Sequence, residues 1–367
     1  MEHFKDLDEK WDVPVYCSET TAKILPVIMG KDAVSRRFLR PLRVGVTHSF
    51  EPNLYVTLLE ANHCFGSVMI LFEGAVIPGG AVLCTGSFRA DTRLLSQFKS
   101  NSSFKKLKDT YISKLFLDNT YLDYTMSSFP ERAESENILL KKMRKLRDCN
   151  ILIPVSDFGS EEMLEKLSVN YSELISTSRK RLQIRKICGL KKGNFQMDNS
   201  NARIRTSQRH PCHVLTAFKE MEEPKMVIDL SLRNEYKKVI KQENLITIPY
   251  SDHSSRCEII EFLSRLQFGE LIPTGAPMNS STAEELMKLS NKVVSDGPCE
   301  TNSVYPSSQK IVFEPFSLQP ANMSIFQVGD INLRRYAANR LDIKSANHSP
   351  MKTIEIKCYD KNGKRIL

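Results

Sequence analysis

Three apolar, strand-like segments that lie far apart in the chain each end in a short polar turn. The segments are 58–67 (LLEANHCFGS), 83–89 (LCTGSFR) and 248–255 (IPYSDHSS). The first and the last contain His63 and His253. A loop histidine considered alone is more often structural than a metal ligand. The order and spacing of the three turns together are therefore what constrain the fold and the chemistry.

The rest of the first 290 residues alternates between strand-like and helix-like patterns. Residues 130–147 have apolar side chains at helical spacing, and 150–167 fit a strand, a turn and a helix. This alternation predicts an α/β fold. The strand-like stretches are 55–61, 68–74, 81–86 after a Pro-Gly-Gly turn, 114–120, and one that follows Asn244.

Basic residues are concentrated in two runs of a chain whose formal net charge is +9. Residues 179–210 contain ten Lys and Arg residues against one acid, and residues 141–147 contain five basic residues and no acid. Each run is either a solvated surface or a surface that contacts phosphates and binds nucleic acid in a salt-dependent way. The candidate DNA-binding residues are Arg179, Lys180, Arg181, Arg185, Lys186, Lys191 and Lys192.

Composition narrows the class of protein further. No stretch approaches the roughly 20 apolar residues that a membrane helix needs, so we expect no membrane contact. The N-terminus is charged from its second residue, unlike a secretory signal. The nine cysteines are scattered without a C-x-x-C pair, which favours reduced thiols in the cytosol or nucleus. Residues 291–367 lack sustained periodicity, and we expect a disordered tail there.

The motifs taken together resemble one protein family closely. The stretches that occur in family order at family-like intervals are 11–18 (WDVPVYCS), 57–74 (TLLEANHCFGSVMILFEG), 84–89 (CTGSFR), 115–120 (LFLDNT) and 248–255. The combination is similar to the DNA cross-link repair nucleases of the metallo-β-lactamase/β-CASP class (Apollo/Artemis-like), and most similar to their 5′-exonuclease branch. The resemblance covers about residues 1–275.

The resemblance implies an α/β fold in which an αββα metallo-β-lactamase sandwich carries an inserted α/β β-CASP domain. The sandwich would span 1–125 and 245–290, and the insertion, with both basic runs, would span 126–244. The implied activity is zinc-dependent hydrolysis of DNA in the nucleus, on single strands or from a 5′ end. One or two Zn²⁺ ions would make hydroxide available near neutral pH. The implied processes are interstrand cross-link repair, double-strand break repair, binding of damaged DNA and telomere-end processing.

The resemblance also assigns roles to individual residues. His63 and His253 match metal ligands of the family, and imidazole nitrogens are ligands that Zn²⁺ prefers. Asp118 matches an acid that supports the site, so Asp118 and His253 are the candidate catalytic residues. The candidates for binding a terminal 5′-phosphate lie beside motif positions and are Thr120, Ser254 and Ser255.

The sequence departs from the family pattern at the metal site. Counting back from 11–18 places His3 on the last histidine of the family signature H-x-H-x-D-H and Glu2 on its aspartate. The two leading histidines would then lie upstream of a chain that starts at an internal methionine, or they are lost. Ser87 stands where the family has the aspartate that bridges two metal ions, and Phe65 stands where relatives have proline. A neutral hydroxyl supplies no charge to hold two dications about 4 Å apart.

These departures leave more than one function open. The ligand inventory is His3, His63 and His253, with Glu2 as a further candidate. One weakly held metal ion is compatible with that set, whereas an efficient two-metal nuclease is not. We therefore expect an inactive or strongly impaired member of a nuclease lineage, and the alternative is a non-catalytic DNA-end-binding protein or scaffold. The ANHCFGS and SDHSS motifs disfavour an RNA-processing enzyme of the same class.

Overall fold

The computed structural model describes residues 7–197 and 201–291. The candidates Glu2 and His3, and the expected tail beyond residue 291, lie outside the described residues. No helix in the described part of the chain is long and apolar enough to cross a membrane.

Strands and helices alternate along the described chain. The strands are β1 (Val15–Ser18), β2 (Leu39–Leu42), β3 (Thr47–Glu51), β4 (Leu54–Glu60), β5 (Val68–Glu73), β6 (Ala81–Cys84), β7 (Tyr111–Leu117), β8 (Asn150–Pro154), β9 (Leu174–Thr177), β10 (Asn194–Met197), β11 (Ile204–Ser207), β12 (Lys225–Leu230), β13 (Leu245–Ile248) and β14 (Gln267–Pro273). The helices are α1 (Glu19–Met29), α2 (Thr92–Ser100), α3 (Ser102–Asp109), α4 (Arg132–Arg144), α5 (Glu161–Tyr171), α6 (Arg179–Ile187), α7 (Pro211–Lys219), α8 (Arg256–Leu263) and α9 (Ser280–Asn291).

The first large sheet has six strands in the order β14-β7-β6-β5-β4-β3. The strands from β3 to β6 pair antiparallel, whereas β6, β7 and β14 pair parallel. One face packs on α2, α3 and α8 through residues such as Leu94, Phe104 and Phe262. The other face forms a second core around Ile70 and Phe116. Because both faces of the middle strands are covered, these strands are continuous apolar runs in the sequence.

The second large sheet has the order β10-β9-β11-β8-β12-β13, and all its neighbouring strands are parallel. Helices α4 and α5 cover one face through residues such as Leu139 and Leu164, and α7 covers the other through Val214. This sheet lies in sequence between β7 and β14, which are direct neighbours in the first sheet. The chain therefore leaves the first sheet after β7 and returns to the same edge.

The second sheet extends further along the chain than the domain boundary expected from the sequence, residue 245. We placed the return to the first unit at residue 245, but β13 begins there and pairs parallel with β12 in the second sheet. Leu245 is the register partner of Val227, so the apolar run simply extends the parallel sheet. The second sheet consequently ends at Ile248, and the His253 turn follows it directly.

Helices α1 and α6 join the two sheets on one side of the molecule. Ile24 and Ile28 of α1 form an apolar cluster with Ile184 of α6, and Phe65 and Phe158 pack against that cluster. Burying these side chains removes apolar surface from water, which stabilises the contact. The two sheets are thus held together directly beside the turns that carry the candidate residues.

Candidate active site

Four candidate residues lie in turns directly after strands. His63 follows β4, Ser87 follows β6, Asp118 follows β7 and His253 follows β13. The ring centroids of His63 and His253 are 4.7 Å apart, although the second sheet separates them in sequence. Ser87 and both imidazoles line one cavity of about 400 Å³. The structure therefore brings these four sequence-derived candidates to one site.

Each imidazole has one ring nitrogen occupied by an acceptor. His63 Nδ1 lies 2.9 Å from the backbone oxygen of Asp252, and His253 Nδ1 lies 2.7 Å from Oδ2 of Asp118. A carbonyl oxygen can only accept, so Nδ1 of His63 carries the proton and Nε2 keeps its lone pair in the neutral ring. A histidine ligand of a metal ion is usually oriented in this way, with its second nitrogen donating to a carbonyl or carboxylate.

The surroundings favour the neutral form of His63 and the ionised form of Asp118. Burial lowers the pKa of His63, and the neighbouring His253 lowers it further, so the neutral imidazole is favoured. Burial alone would raise the pKa of Asp118, but hydrogen bonds from His253 and Thr120 outweigh it and the pKa is lowered. The site thus combines a neutral imidazole with a buried carboxylate that stays ionised.

Thr120 is exposed and hydrogen-bonds the Asp118 carboxylate. Its hydroxyl and its backbone N–H donate to Oδ1 of Asp118, at 2.6 Å and 3.0 Å. The backbone N–H of Phe88 donates to Oδ2 at 3.3 Å. Thr120 therefore supports Asp118, and phosphate binding by Thr120 stays a prediction.

Ser254 and Ser255 are buried, and contacts within the protein use both hydroxyls, so phosphate binding by these residues stays a prediction. The Ser254 hydroxyl donates to the backbone oxygen of Phe88 at 3.0 Å and accepts from the backbone N–H of Ala90 at 2.9 Å. The Ser255 hydroxyl accepts from the N–H of Glu258 and caps α8, while the Glu258 carboxylate accepts from the N–H of Ser255. Both hydroxyls hold the His253 turn in place.

Ser87 supplies a hydroxyl at the position where the family pattern has a carboxylate. It is 4% exposed and lies in the wall of the cavity with His63 and His253. The described residues contain no group of three or more His, Cys, Asp or Glu side chains arranged to hold a metal ion. The described part of the chain on its own therefore does not complete a metal site.

The basic run on α6 divides into buried and exposed residues. Arg181 donates to Glu161 at 2.5 Å, and Arg185 donates to Glu165 at 3.3 Å and stacks on Phe195. The two arginines are 3% and 4% exposed, so little of either side chain faces solvent, and their contribution to DNA binding stays a prediction. The half-buried Lys180 lies 3.4 Å from Asp157. The candidates that do face solvent are Arg179, Lys186, Lys191 and Lys192.

Two arginines that sequence reasoning missed line the cavity. Arg209 and Arg233 come from the second sheet, just after β11 and β12, together with Ser231. The guanidinium of Arg233 lies 5.9 Å from the ring centre of Tyr121, another residue of the cavity wall. A signal was available in the sequence, because polar residues that directly follow parallel strands collect at one edge of an α/β sheet.

Arg89 holds the His253 turn from inside the protein. It is 0% exposed and donates to the backbone oxygens of Ser251 and Pro130 at 2.7 Å and 3.1 Å. Its guanidinium also lies 2.9 Å from Glu258, at the start of α8. One buried cation therefore connects the β6 turn, the entry to α4 and the turn that carries His253.

The first sheet, with helices on its face and histidine-bearing turns at its edge, defines a metallo-β-lactamase-type protein of mixed α/β architecture. Residues 163–279 match the family model described as DNA repair metallo-beta-lactamase. This match bears out the family resemblance that the sequence motifs predicted.

Known relatives agree with this assignment. The chain is 30% identical over 279 residues to 5′ exonuclease Apollo of Mus musculus, covering 74% of this chain and 48% of that protein. The Gallus gallus protein of the same name is 32% identical, with 74% and 56% covered. DNA cross-link repair 1A protein of Homo sapiens is 36% identical over 136 residues, 36% of this chain and 11% of that protein. The chain spans about half the length of the Apollo proteins it matches.

A solved structure shares the fold at low sequence identity. It is described as a protein of unknown function from Enterococcus faecalis V583, with a TM-score of 0.54 and 10% identity. The match covers 71% of this chain and 69% of that one. At this identity the likeness concerns the fold alone.

Replacing Arg89 should destabilise the protein strongly. Arg89→Met leaves the Glu258 carboxylate and two backbone oxygens without their donor, and we expect unfolding free energy to fall by about 3 kcal/mol or more. Urea denaturation measures this change. Arg93→Met is the matched control, because Arg93 is 62% exposed in its ion pair with Glu162 and should cost about 1 kcal/mol or less. Equal losses for the two variants would contradict the role of Arg89.

Proposed function

We propose that this protein holds the 5′ end of single-stranded DNA in the cavity between its two sheets. We further propose that it hydrolyses DNA with zinc much more slowly than a nuclease with a complete ligand set. The observation that carries the proposal is that Ser87, at the position of the family carboxylate, lines the same cavity as His63 and His253. The names of the relatives, 5′ exonuclease and DNA cross-link repair protein, support DNA as the substrate and the nucleus as the place of action.

The cavity lining contains two guanidinium groups, Arg209 and Arg233, beside the carboxylates of Asp157, Glu235 and Asp252, and the exposed Arg233 supports an anionic ligand. Arg233 is exposed, and no carboxylate among the described residues pairs with it. Arg209 lies 3.7 Å from Asp229, so its charge is partly neutralised. A guanidinium matches a phosphate with two parallel N–H donors. Arg233 is accordingly our candidate for binding the terminal phosphate, in place of Ser254 and Ser255.

Zinc would supply a bound water of lowered pKa and a Lewis acid at this site. The candidate ligands are His63 and His253, each with Nδ1 engaged by an acceptor, together with Glu2 and His3 outside the described residues. Losing even a group that only orients a ligand typically costs about 10–100-fold in metal affinity or activity. A hydroxyl in place of a bridging carboxylate should cost at least as much, so DNA-end binding is expected to persist where hydrolysis is weak.

A carboxylate at residue 87 should strengthen zinc binding. We expect Ser87→Asp to bind zinc about tenfold or more tightly than the wild-type chain, because a charged oxygen joins the two imidazoles. Titration against a zinc-responsive dye measures the affinity. Degradation of a 5′-phosphorylated single-stranded oligonucleotide measures activity, and we expect negligible activity for the wild type.

The control for shape is Ser87→Asn, which has nearly the size of aspartate but no charge and should gain no zinc affinity. Wild-type zinc affinity and turnover equal to those of Ser87→Asp would overturn the proposal that Ser87 impairs the metal site.

The exposed lysines near the end of α6 should contribute to DNA binding through charge. Reversing Lys186, Lys191 and Lys192 to glutamate should weaken binding at low salt and reduce the slope of log K against log salt by up to about 3. Fluorescence anisotropy over a salt series measures both. The control reverses Lys99, Lys105 and Lys108, which are also exposed and give the same change in net charge. If both triple variants bind DNA equally, α6 is not the DNA-binding surface.

A further inference from the structure

The cavity lining includes apolar side chains that neither zinc nor a phosphate requires. Besides the imidazoles and Arg233, it includes Ile24, Ile28, Phe65 and Phe158. Both phenylalanines are half-buried, whereas the two isoleucines are 2% and 5% exposed. A lining of apolar and aromatic side chains with a few polar groups is typical of a small-molecule binding site.

We propose that Phe65 and Phe158 form the subsite for the terminal nucleobase of the DNA strand. This inference rests on the proposed function, in which the cavity receives a DNA end. Aromatic side chains stack on bases of any sequence, since every base has a π-face. With the phosphate at Arg233 and the base against the phenylalanines, one nucleotide would contact both the charged and the aromatic residues of the lining.

The size of the cavity fits a single nucleotide better than a duplex. Its volume of about 400 Å³ lies near the lower end of the range for small-molecule sites, about 300–1,000 Å³. A paired base would bring its partner strand into the same space. A terminal nucleotide that is already unpaired can enter without the free-energy cost of unpairing.

The turn that carries Phe65 is held rigidly against α1. The backbone oxygen of Gly66 accepts hydrogen bonds from the hydroxyls of Ser18 and Thr21, at 2.7 Å and 2.9 Å. Gly66 has φ of +82°, and a Cβ there would lie 2.9 Å from the Thr21 hydroxyl. Only glycine therefore suits this turn, and the Phe65 ring is placed before any ligand arrives.

The loop that carries Phe158 is fixed by the buried ion pair of α5 and α6. Arg181 donates to the backbone oxygen of Gly159 at 2.9 Å and to Glu161 at 2.5 Å. Glu161 in turn accepts from the backbone N–H of Gly159 at 2.9 Å. The buried pair thus gives the second aromatic wall a defined position, which reduces the ordering that a ligand must impose.

The alternative to base stacking is that the Phe65 and Phe158 rings only pack against the contact between α1 and α6. Leucine at either position keeps apolar packing against Ile24, Ile28 and Ile184 but removes the π-face. Phe38 is the matched control, since it is also half-buried but does not line the cavity. Phe65→Leu, Phe158→Leu and Phe38→Leu therefore separate stacking from packing.

The experiment compares two 5′-phosphorylated single-stranded oligonucleotides by fluorescence anisotropy in EDTA, with the full chain. One carries adenine at the 5′-terminal nucleotide, and the other carries an abasic terminal nucleotide. We expect the wild type to bind the adenine oligonucleotide about tenfold more tightly, the scale of one aromatic stack. Phe65→Leu and Phe158→Leu should lose most of this preference with unchanged affinity for the abasic strand, and Phe38→Leu should retain it.

Each other result has a definite meaning. Equal affinity of the wild type for the two oligonucleotides overturns the base subsite while leaving DNA-end binding intact. Full preference in both cavity variants overturns the assignment of the subsite to Phe65 and Phe158. Absence of binding to either oligonucleotide overturns the proposed function as well. The wild-type comparison decides the proposal even if a leucine variant fails to fold.

Discussion

The hydrogen bond between Asp118 and His253 is the interaction on which the site depends. Oδ2 of Asp118 and Nδ1 of His253 are 2.7 Å apart, although the strands of the second sheet separate the two residues in sequence. Strands β7 and β14 are parallel neighbours, so the chain returns to the same edge of the first sheet after it has formed the second, with the His253 turn and α8 preceding β14. The Asp118 carboxylate fixes the imidazole where the chain returns, and it thereby brings His253 to His63.

Buried guanidinium groups hold the surrounding loops by a common arrangement. Arg89 is paired with Glu258 and donates to two backbone oxygens, and Arg181 is paired with Glu161 and donates to the backbone oxygens of Gly159 and Ser156. A buried charge without partners would cost far more than it contributes, so each guanidinium is surrounded by acceptors. Each of these arginines fixes a loop that contributes to the cavity.

The grouping of the four central site residues could be predicted from the sequence, because each of them lies in a polar turn that directly follows a strand. His63, Ser87, Asp118 and His253 needed only the strand pattern and the family motifs to be placed together. The buried contacts of Arg181 and of the Ser254 hydroxyl could not be predicted. A count of charges along the chain does not show that Glu161, on another helix, buries Arg181. Nor does a motif show that a serine hydroxyl is used by the backbone of another turn.

Arg233 and the end of the second sheet were missed for a related reason. Strand β13 has the same apolar composition as strands of either sheet, and only its pairing with β12 assigns it to the second. Arg233 lies near the cavity because β12 ends there, which depends on strand order. Strand order is set by long-range packing, and local sequence patterns carry little information about it.

The central claim is that this cavity lacks the carboxylate needed to hold two zinc ions, because Ser87 replaces it. The most direct measurement is a crystal structure of the full chain grown with zinc, with anomalous diffraction recorded at the zinc absorption edge. The account predicts at most one zinc ion at partial occupancy beside His63 and His253. Two fully occupied zinc ions bound in this cavity would contradict it.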